Sequence, residues 1–309
     1  MTIAPPMPTP FSKARFLTDL KTICTALNTP FSETTTSQIL TTFKESFSRG
    51  AVLLRTTDQP NGDLNYRVYE RQSVDLVSLS INAGLLPPDS RLGKLVQLWS
   101  NLYGGQSHQL ADFDAEKGLV KFWVFLGGIR PLHEILAIPG LPECIARRQT
   151  MFESLGLTRV RHTAVDLDKG SINLYFRTPP DLSRVEIDVY ISLAGSDPID
   201  DDVFYEVRAQ FPTTGGTFAV TMDLTSGEIS RMALYALRLD EADLPVFSER
   251  IKRFFDVSAS YDPEEMKALA WSFGPGGKMY VKAEHSYTGD LVGLLRNWRT
   301  NMSSSDSSD

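Results

Sequence analysis

A ten-stranded antiparallel β-barrel of the α+β class, with helices packed around it, is the fold that this 309-residue sequence predicts. Three observations carry that expectation. Stretches of alternating apolar and polar residues occur in pairs around turn formers, and each pair is separated from the next by residues with helical apolar spacing. The polar strand faces carry a recurring cation or phenol: Arg67, Lys121, Tyr175, Arg231 and Lys282 follow one another at intervals of 54, 54, 56 and 51 residues, which marks five αββα repeats. Ten strands twisted in one sense curl or close, and if helices cover the apolar faces, the polar faces converge on a lumen.

Taken in order, Phe16, Leu20, Ile23 and Leu27 and then Leu40, Phe43 and Phe47 give two amphipathic helices. Residues 51–57 and 64–71 flank DQPNGD, whose Pro, Asn and Gly form turns, and make the first hairpin. Leu92, Leu95, Val96 and Trp99 form a helix stopped by the glycines of LYGG. The second hairpin ends in 119–126, and Ile145, Phe152 and Leu155 mark the helix after it. The third hairpin pairs 160–166 with 171–177 across a turn at Lys169 and Gly170. One helical region is expected over 182–210, and the fourth hairpin spans 217–235 with its turn at Ser226 and Gly227. Phe247, Ile251, Phe254 and Phe255 mark a further helix. The fifth hairpin runs from 268–273 through GPGGK to 277–284, and Leu291, Leu294, Leu295 and Trp298 form a closing helix.

The stretch 277–284 (GKMYVKAE) shows the design most sharply. Lys278, Tyr280, Lys282 and Glu284 share one face of the strand, and Met279, Val281 and Ala283 share the other. Applied to all five repeats, the same alternation gathers Arg67, Lys121, Tyr175, Arg231, Tyr235, Tyr280, Lys282 and Glu284 in the lumen. An open sheet with helices on one side would merely wet these faces. Against it, Tyr69, Trp123, Phe125, Tyr235 and Tyr280 share faces with the cations, a mixture that suits a ligand with an anionic end and an apolar body. Several cations with hydroxyl and amide donors suit a diphosphate, and aromatic walls suit an allylic carbocation.

Composition sets the limits. With 42% hydrophobic and 22% charged residues the chain has ample material for a large core, and its net charge of −7 argues against a nucleic-acid surface. Cys24 and Cys144, far apart in apolar settings, read as free thiols in a reducing cytoplasmic location. No stretch reads as a signal peptide or a membrane span. The expectation is a monomer acting on small molecules, with residues 11–300 as one domain and 1–10 and 301–309 as disordered tails.

At these residues the sequence resembles the aromatic prenyltransferases of the αββα-repeat (ABBA) barrel type, nearest the branch serving aminocoumarin antibiotics of the clorobiocin and novobiocin kind. LLRTTDQPNGDLNYR, NLYGG, DFDAEKGLVKFW, INLYFR, WSFG and YVKAEHSYTG carry the resemblance, in order along the chain. It implies a prenyltransferase barrel in which Arg55, Arg67, Lys121, Lys169, Asn173, Tyr175, Arg231, Tyr235, Tyr280 and Lys282 hold the diphosphate of dimethylallyl diphosphate. It further implies that Glu284 and Arg161 act on the aromatic acceptor, and that Val52, Leu54, Tyr69, Trp123, Thr217 and Ala219 line the acceptor and prenyl pocket. In the naphterpin-type branch an Asp binds magnesium where this sequence has Arg67. That departure implies an enzyme needing no metal or other cofactor, with a guanidinium taking the metal's electrostatic part. Strict alternation separates Arg55, with Leu53 and Thr57, from Val52, Leu54 and Thr56, so both sets face the lumen only if a bulge intervenes.

Two features are set aside. DPIDDD at 197–202 looks like an Asp-rich magnesium motif, but its spacing and Pro198 favour the start of a helix. His108, His133, His162 and His285 have neither zinc-ligand spacing nor a paired nucleophile, and alternation turns His285 toward the helices. A non-catalytic barrel that sequesters a small aromatic acid remains the rival function.

Overall fold

The computed structural model describes residues 9–178, 182–210, 216–237, 239 and 248–298. Its strands are β1 Ala51–Thr57, β2 Asn65–Tyr69, β3 His108–Asp114, β4 Gly118–Pro131, β5 Arg159–Asp166, β6 Ser171–Arg177, β7 Thr217–Asp223, β8 Ile229–Ala236, β9 Lys267–Gly274 and β10 Lys278–Thr288. Each pairs antiparallel with its neighbours in sequence, and β1 pairs with β10, so the sheet closes into a barrel. Three helices precede β1: α1 Lys13–Leu27, α2 Glu33–Thr42 and α3 Lys44–Arg49. Between β2 and β3 lie α4 Leu76–Asn82 and α5 Arg91–Leu102; between β4 and β5 lie α6 Leu132–Leu136, α7 Glu143–Ala146 and α8 Gln149–Ser154. α9 Arg184–Ser192 and α10 Asp201–Gln210 join β6 to β7, α11 Glu249–Val257 precedes β9, and α12 Leu291–Asn297 follows β10.

Local chemistry sets the helix ends. The Ser12 hydroxyl accepts from the Arg15 N–H to start α1, and Asn28 stops it in the left-handed region at φ 51°. Ser183 and Glu186 form a reciprocal capping box at the head of α9. The helical region expected over 182–210 is divided into two helices, because Gly195 takes φ 66° and Pro198 follows, so the chain restarts at α10. Asp201 and Asp202 of DPIDDD lie in the first turn of α10, where carboxylates meet the positive end of the helix. Phe247 and the residues of the expected tails before 9 and after 298 lie outside the described residues.

Two apolar layers result. The outward strand faces meet the helices in a continuous core that includes Phe16, Phe43, Phe47, Tyr66, Phe113, Phe122 and Trp271. A second cluster lies inside the barrel: Leu53, Tyr69, Leu110, Trp123, Phe125, Tyr175, Ala219, Ala233, Tyr235 and Ala270, closed at one end by Leu295 and Trp298. Trp298 stacks on Phe125 with ring centroids 4.4 Å apart and planes at 2°, and on His108 at 5.1 Å. α12 therefore stoppers the end of the barrel opposite the five hairpin turns.

β1 corrects one expectation. Val52 and Leu54 belong to the helix-facing core and line no part of the lumen; Leu53 and Arg55 face inward. The register shift between Val52 and Leu53 in the pairing with β10 does not invert the faces that follow it. Thr56 is likewise engaged outside, its hydroxyl donating to the Asp63 carbonyl and accepting from Arg250 of α11.

Candidate active site

The lumen has two chambers. At the hairpin-turn end a polar mouth of about 180 Å³ is lined by Arg55, Lys121, Lys169, Arg231 and Lys282, with Asn65, Tyr235 and Tyr280 between them. Deeper lies an aromatic chamber of about 70 Å³, lined by Arg67, Tyr69, Leu110, Trp123, Arg161, His162, Tyr175, Thr217, Met266, Glu284 and Leu295. Tyr235 borders both. A larger groove of about 330 Å³ lies outside the barrel beside α2 and α3, but its Arg49 is paired with Glu45 and Phe43 is its one ring.

A relay of hydrogen bonds fixes the mouth. Lys121 Nζ donates to Asn173 Oδ1 at 3.0 Å, and Asn173 Nδ2 donates to Thr221 Oγ1 at 2.7 Å. Arg231 donates to the same hydroxyl at 3.0 Å and to the Tyr280 hydroxyl at 2.9 Å, and Lys282 Nζ lies 3.4 Å from the Tyr235 hydroxyl. Among the described residues, Lys121, Arg231 and Lys282 have neutral partners but no carboxylate in an ion pair. Among the described residues, the buried Nε of Arg231 and Nε1 of Trp123 find no acceptor. Burial drives the Lys121 ammonium down to about 7 and that of Lys282 well below its ordinary value, with the neighbouring cations adding to the push on Lys282. Such a cluster is costly unless an anion completes it.

Arg55 and Arg67 are placed differently. Arg55 Nη1 lies 3.2 Å from Asp112 Oδ2, and its other Nη donates to Asn65 Oδ1. Arg67 is bonded to Asp112 through Nε at 2.5 Å and Nη2 at 3.2 Å, donates to the Tyr69 hydroxyl at 2.9 Å, and lies 3.6 Å from Glu284. Its guanidinium carbon sits 4.0 Å from the Trp123 ring centroid. Burial alone would raise the Asp112 carboxyl, but Arg67 and Arg55 hold it below its usual range. Trp123 and Tyr175 pack with centroids 4.5 Å apart, and Tyr175 meets Tyr235 edge-on at 5.9 Å. Burial raises the phenols of Tyr69 and Tyr235 to about 12, so they stay protonated donors.

Of the residues singled out from the sequence, Arg55, Lys121, Arg231, Tyr235, Tyr280 and Lys282 gather at the mouth; Lys169 reaches it from its exposed turn, and Asn173 lies buried behind Lys121. Arg67, Tyr69, Trp123, Arg161, Tyr175, Thr217 and Glu284 line the inner chamber, with Ala219 in the same luminal cluster. Asp112 went unremarked although it stands directly opposite both Arg67 and Lys121 in the strand pairing. His162, which has neither zinc-ligand spacing nor a paired nucleophile, lines the chamber in alternation with Ala164, and the register shift between Val160 and His162 brings Arg161 in beside it. His285 faces outward against Phe254 and Phe255, 2.8 Å from Glu265.

Residues 11–299 match the family model described as aromatic prenyltransferase Orf2. The chain belongs to that family. It is 46% identical over 302 residues to an aromatic prenyltransferase of Sclerotinia sclerotiorum, covering 96% of this chain and 97% of that one. It is 40% identical over 293 residues to the 4-hydroxyphenylpyruvate 3-dimethylallyltransferase of Streptomyces niveus, covering 95% and 90%. Among solved structures, the aromatic-prenyltransferase chain superposes on AnaPT from Neosartorya fischeri with a TM-score of 0.54 at 12% identity, covering 90% and 92%, a likeness of fold. The protein is an enzyme, an aromatic prenyltransferase, and the carrier alternative falls. Among its described residues no group of three or more His, Cys, Asp or Glu is arranged to hold a metal ion, and no helix is long and apolar enough to cross a membrane.

Proposed function

We propose that this prenyltransferase moves a dimethylallyl group from dimethylallyl diphosphate to a ring carbon of a phenolic or hydroxynaphthalene-type acceptor, without a metal ion. The observation that carries the reading is the cluster of Lys121, Arg231 and Lys282, none of them in a close ion pair with a carboxylate among the described residues, opening directly onto the aromatic chamber. The diphosphate lies among these cations, with Arg55, Asn173, Tyr235 and Tyr280 as further donors and Lys169 at the rim. Arg67 and Tyr175 border its inner end. The C–O bond breaks heterolytically and its electron pair leaves with the diphosphate, whose charge the cations stabilise as it develops. The allylic cation left behind is held against Trp123 and Tyr175, whose ring faces stabilise positive charge while water is kept out.

The acceptor ring then attacks that cation, forming the new C–C bond and an arenium ion, and loss of the ring proton restores aromaticity. Glu284 takes that proton or orients a phenolic hydroxyl, and Arg161 receives the acceptor's polar end. The name of the Streptomyces niveus relative supports a five-carbon donor and a phenolic acceptor. In place of a metal the site would use Arg67, fixed by Asp112 at the point where the naphterpin-type branch carries its magnesium-binding Asp. The test is incubation with dimethylallyl diphosphate and a panel of phenols and naphthols in excess EDTA. A mass gain of one prenyl unit is expected; activity that vanishes with EDTA and returns with magnesium refutes the metal-free mechanism, and no product under either condition refutes the whole reading.

A further inference from the structure

His162 faces the lumen in regular alternation with Ala164 and Asp166, and the irregularity at Arg161 brings that neighbour in beside it. Residues 161 and 162 straddle the register shift between β5 and β6, so that both line the inner chamber; beyond it His162 stands opposite Tyr175, and Ala164 opposite Asn173. The imidazole is wedged between two rings, 5.3 Å from Phe125 and edge-on to Tyr175 at 6.2 Å. Neither ring nitrogen has a hydrogen bond to the described residues, although the ring is partly open to the chamber and borders empty space. Asp166 at the mouth lies four residues further along β5, so His162 is roughly 13 Å from it along the tilted strand and roughly 10 Å deeper in the barrel. Burial, helped by the charges of Arg161 and Arg67, holds the imidazole neutral with its pKa near about 3. A neutral imidazole offers one donor and one acceptor and makes no demand for a counter-ion.

We infer that His162 determines acceptor specificity, one of its ring nitrogens hydrogen-bonding a hydroxyl on the part of the acceptor remote from the diphosphate mouth. The inference rests on the function proposed above and narrows its acceptor to arenes with a polar group at the deep end. Leu110, Met266 and Leu295 supply hydrocarbon there, so an acceptor that lacks such a group leaves the imidazole unsatisfied. Arg161 is suited to an anionic group and Glu284 to a donor hydroxyl, while His162 suits a neutral hydroxyl.

The test uses the full chain, as wild type, His162→Phe and His162→Gln, with two probes: a monohydroxynaphthalene and a dihydroxynaphthalene whose second hydroxyl is on the other ring. Binding is read by quenching of tryptophan fluorescence in the presence of inorganic diphosphate, and turnover is read in parallel. Wild type is expected to bind the diol roughly tenfold more tightly than the mono-ol, the ratio to fall to about one in His162→Phe, and most of it to return in His162→Gln. Inorganic diphosphate affinity reports that each variant is folded; if His162→Phe is not, His162→Met replaces it. A diol preference absent from wild type, or surviving in the apolar variant, overturns the inference. Wild type that shows the preference but forms no prenylated product leaves the inference standing and sinks the proposed reaction instead.

Discussion

The guanidinium of Arg67 is clasped at two points by the carboxylate of Asp112, and both groups are buried in the wall of the lumen. The pair does more than neutralise charge. Because Asp112 also reaches Arg55, one carboxylate sets the positions of two cations at the junction of mouth and chamber. Asp112→Asn should therefore destabilise the fold by about 3–5 kcal/mol, the usual penalty for stripping one partner from a buried ion pair. Denaturant unfolding at neutral pH measures it. The Asp112 carboxyl is lowered in the folded state, so this stability is present above the ordinary carboxylate value of about 3.9 and is lost as pH falls through the lowered one. The gap between wild type and variant should then close in acid; a gap independent of pH contradicts the ion-pair account.

Proton uptake should accompany donor binding. Burial brings Lys121 down to about 7 and pushes Lys282 well below its ordinary value, and a bound diphosphate would draw both back toward the charged form. Calorimetric titration with inorganic diphosphate at pH 8, in two buffers of different ionisation enthalpy, should show net proton uptake, with affinity weakening as pH rises above about 7 where Lys121 loses its proton. Both lysines have folded pKa values below their unfolded ones, so the unfolded chain holds more protons over that range. Ligand-free stability should consequently rise with pH from about 7 toward the ordinary lysine value. Binding with no proton uptake would mean that both ammonium groups are already charged.

Glu284→Gln separates chemistry from charge balance. The carboxylate lies 3.6 Å from Arg67 and lines the chamber rather than the mouth. A role in holding or deprotonating the acceptor predicts a fall in prenylated product on the order of 10²-fold while affinity for a non-hydrolysable donor analogue is kept. Weakened donor affinity with an unchanged rate per bound substrate would remove Glu284 from the mechanism.

Arg250 of α11 should matter although its own side chain does not line the lumen. Its guanidinium donates to the carbonyls of Leu27, Thr57 and Gly62 and to the Thr56 hydroxyl, pinning the turn whose residues Gln59, Asn61 and Asp63 border the mouth. Arg250→Ala should raise the KM for the diphosphate donor by roughly tenfold with little change in kcat, because it loosens a rim and not the reacting centre. Arg250→Lys, with one point donor in place of a fork, should recover little of the loss. An equal fall in kcat would place the defect in the chamber.

Alternation along single strands proved a sound guide where the ladder is regular. Tyr280, Lys282 and Glu284 all point into the lumen, and Ala283 is part of the helix-facing core. It was equally informative in β1, where it separated Arg55 from Val52 and Leu54; the family resemblance then placed Val52 and Leu54 in the pocket, and the packing reversed that. His162 follows Asp166 and Ala164 in plain alternation but carries no motif that singles it out, while the bulge that lets Arg161 share its side leaves no mark in the residue pattern. Depth was illegible as well. Arg55 and Arg67 look alike in sequence, yet one opens on the mouth and the other on the inner chamber, because depth depends on the stagger of neighbouring strands.

Closure of the barrel has a consequence for how the protein is made. Val52 pairs with Thr288 and Thr57 with Lys282, so the seam is sewn between the first strand and the last. While the chain is being synthesised, nine strands can zip together in order, but β1 keeps a bare edge until β10 emerges and docks. Until then the cation-lined interior is an open trough and the two bare edges are templates for pairing with another chain. A premature stop anywhere before β10 would thus yield a sticky, inactive ribbon, and refolding from denaturant should end in one late, slow step governed by the search for that distant partner.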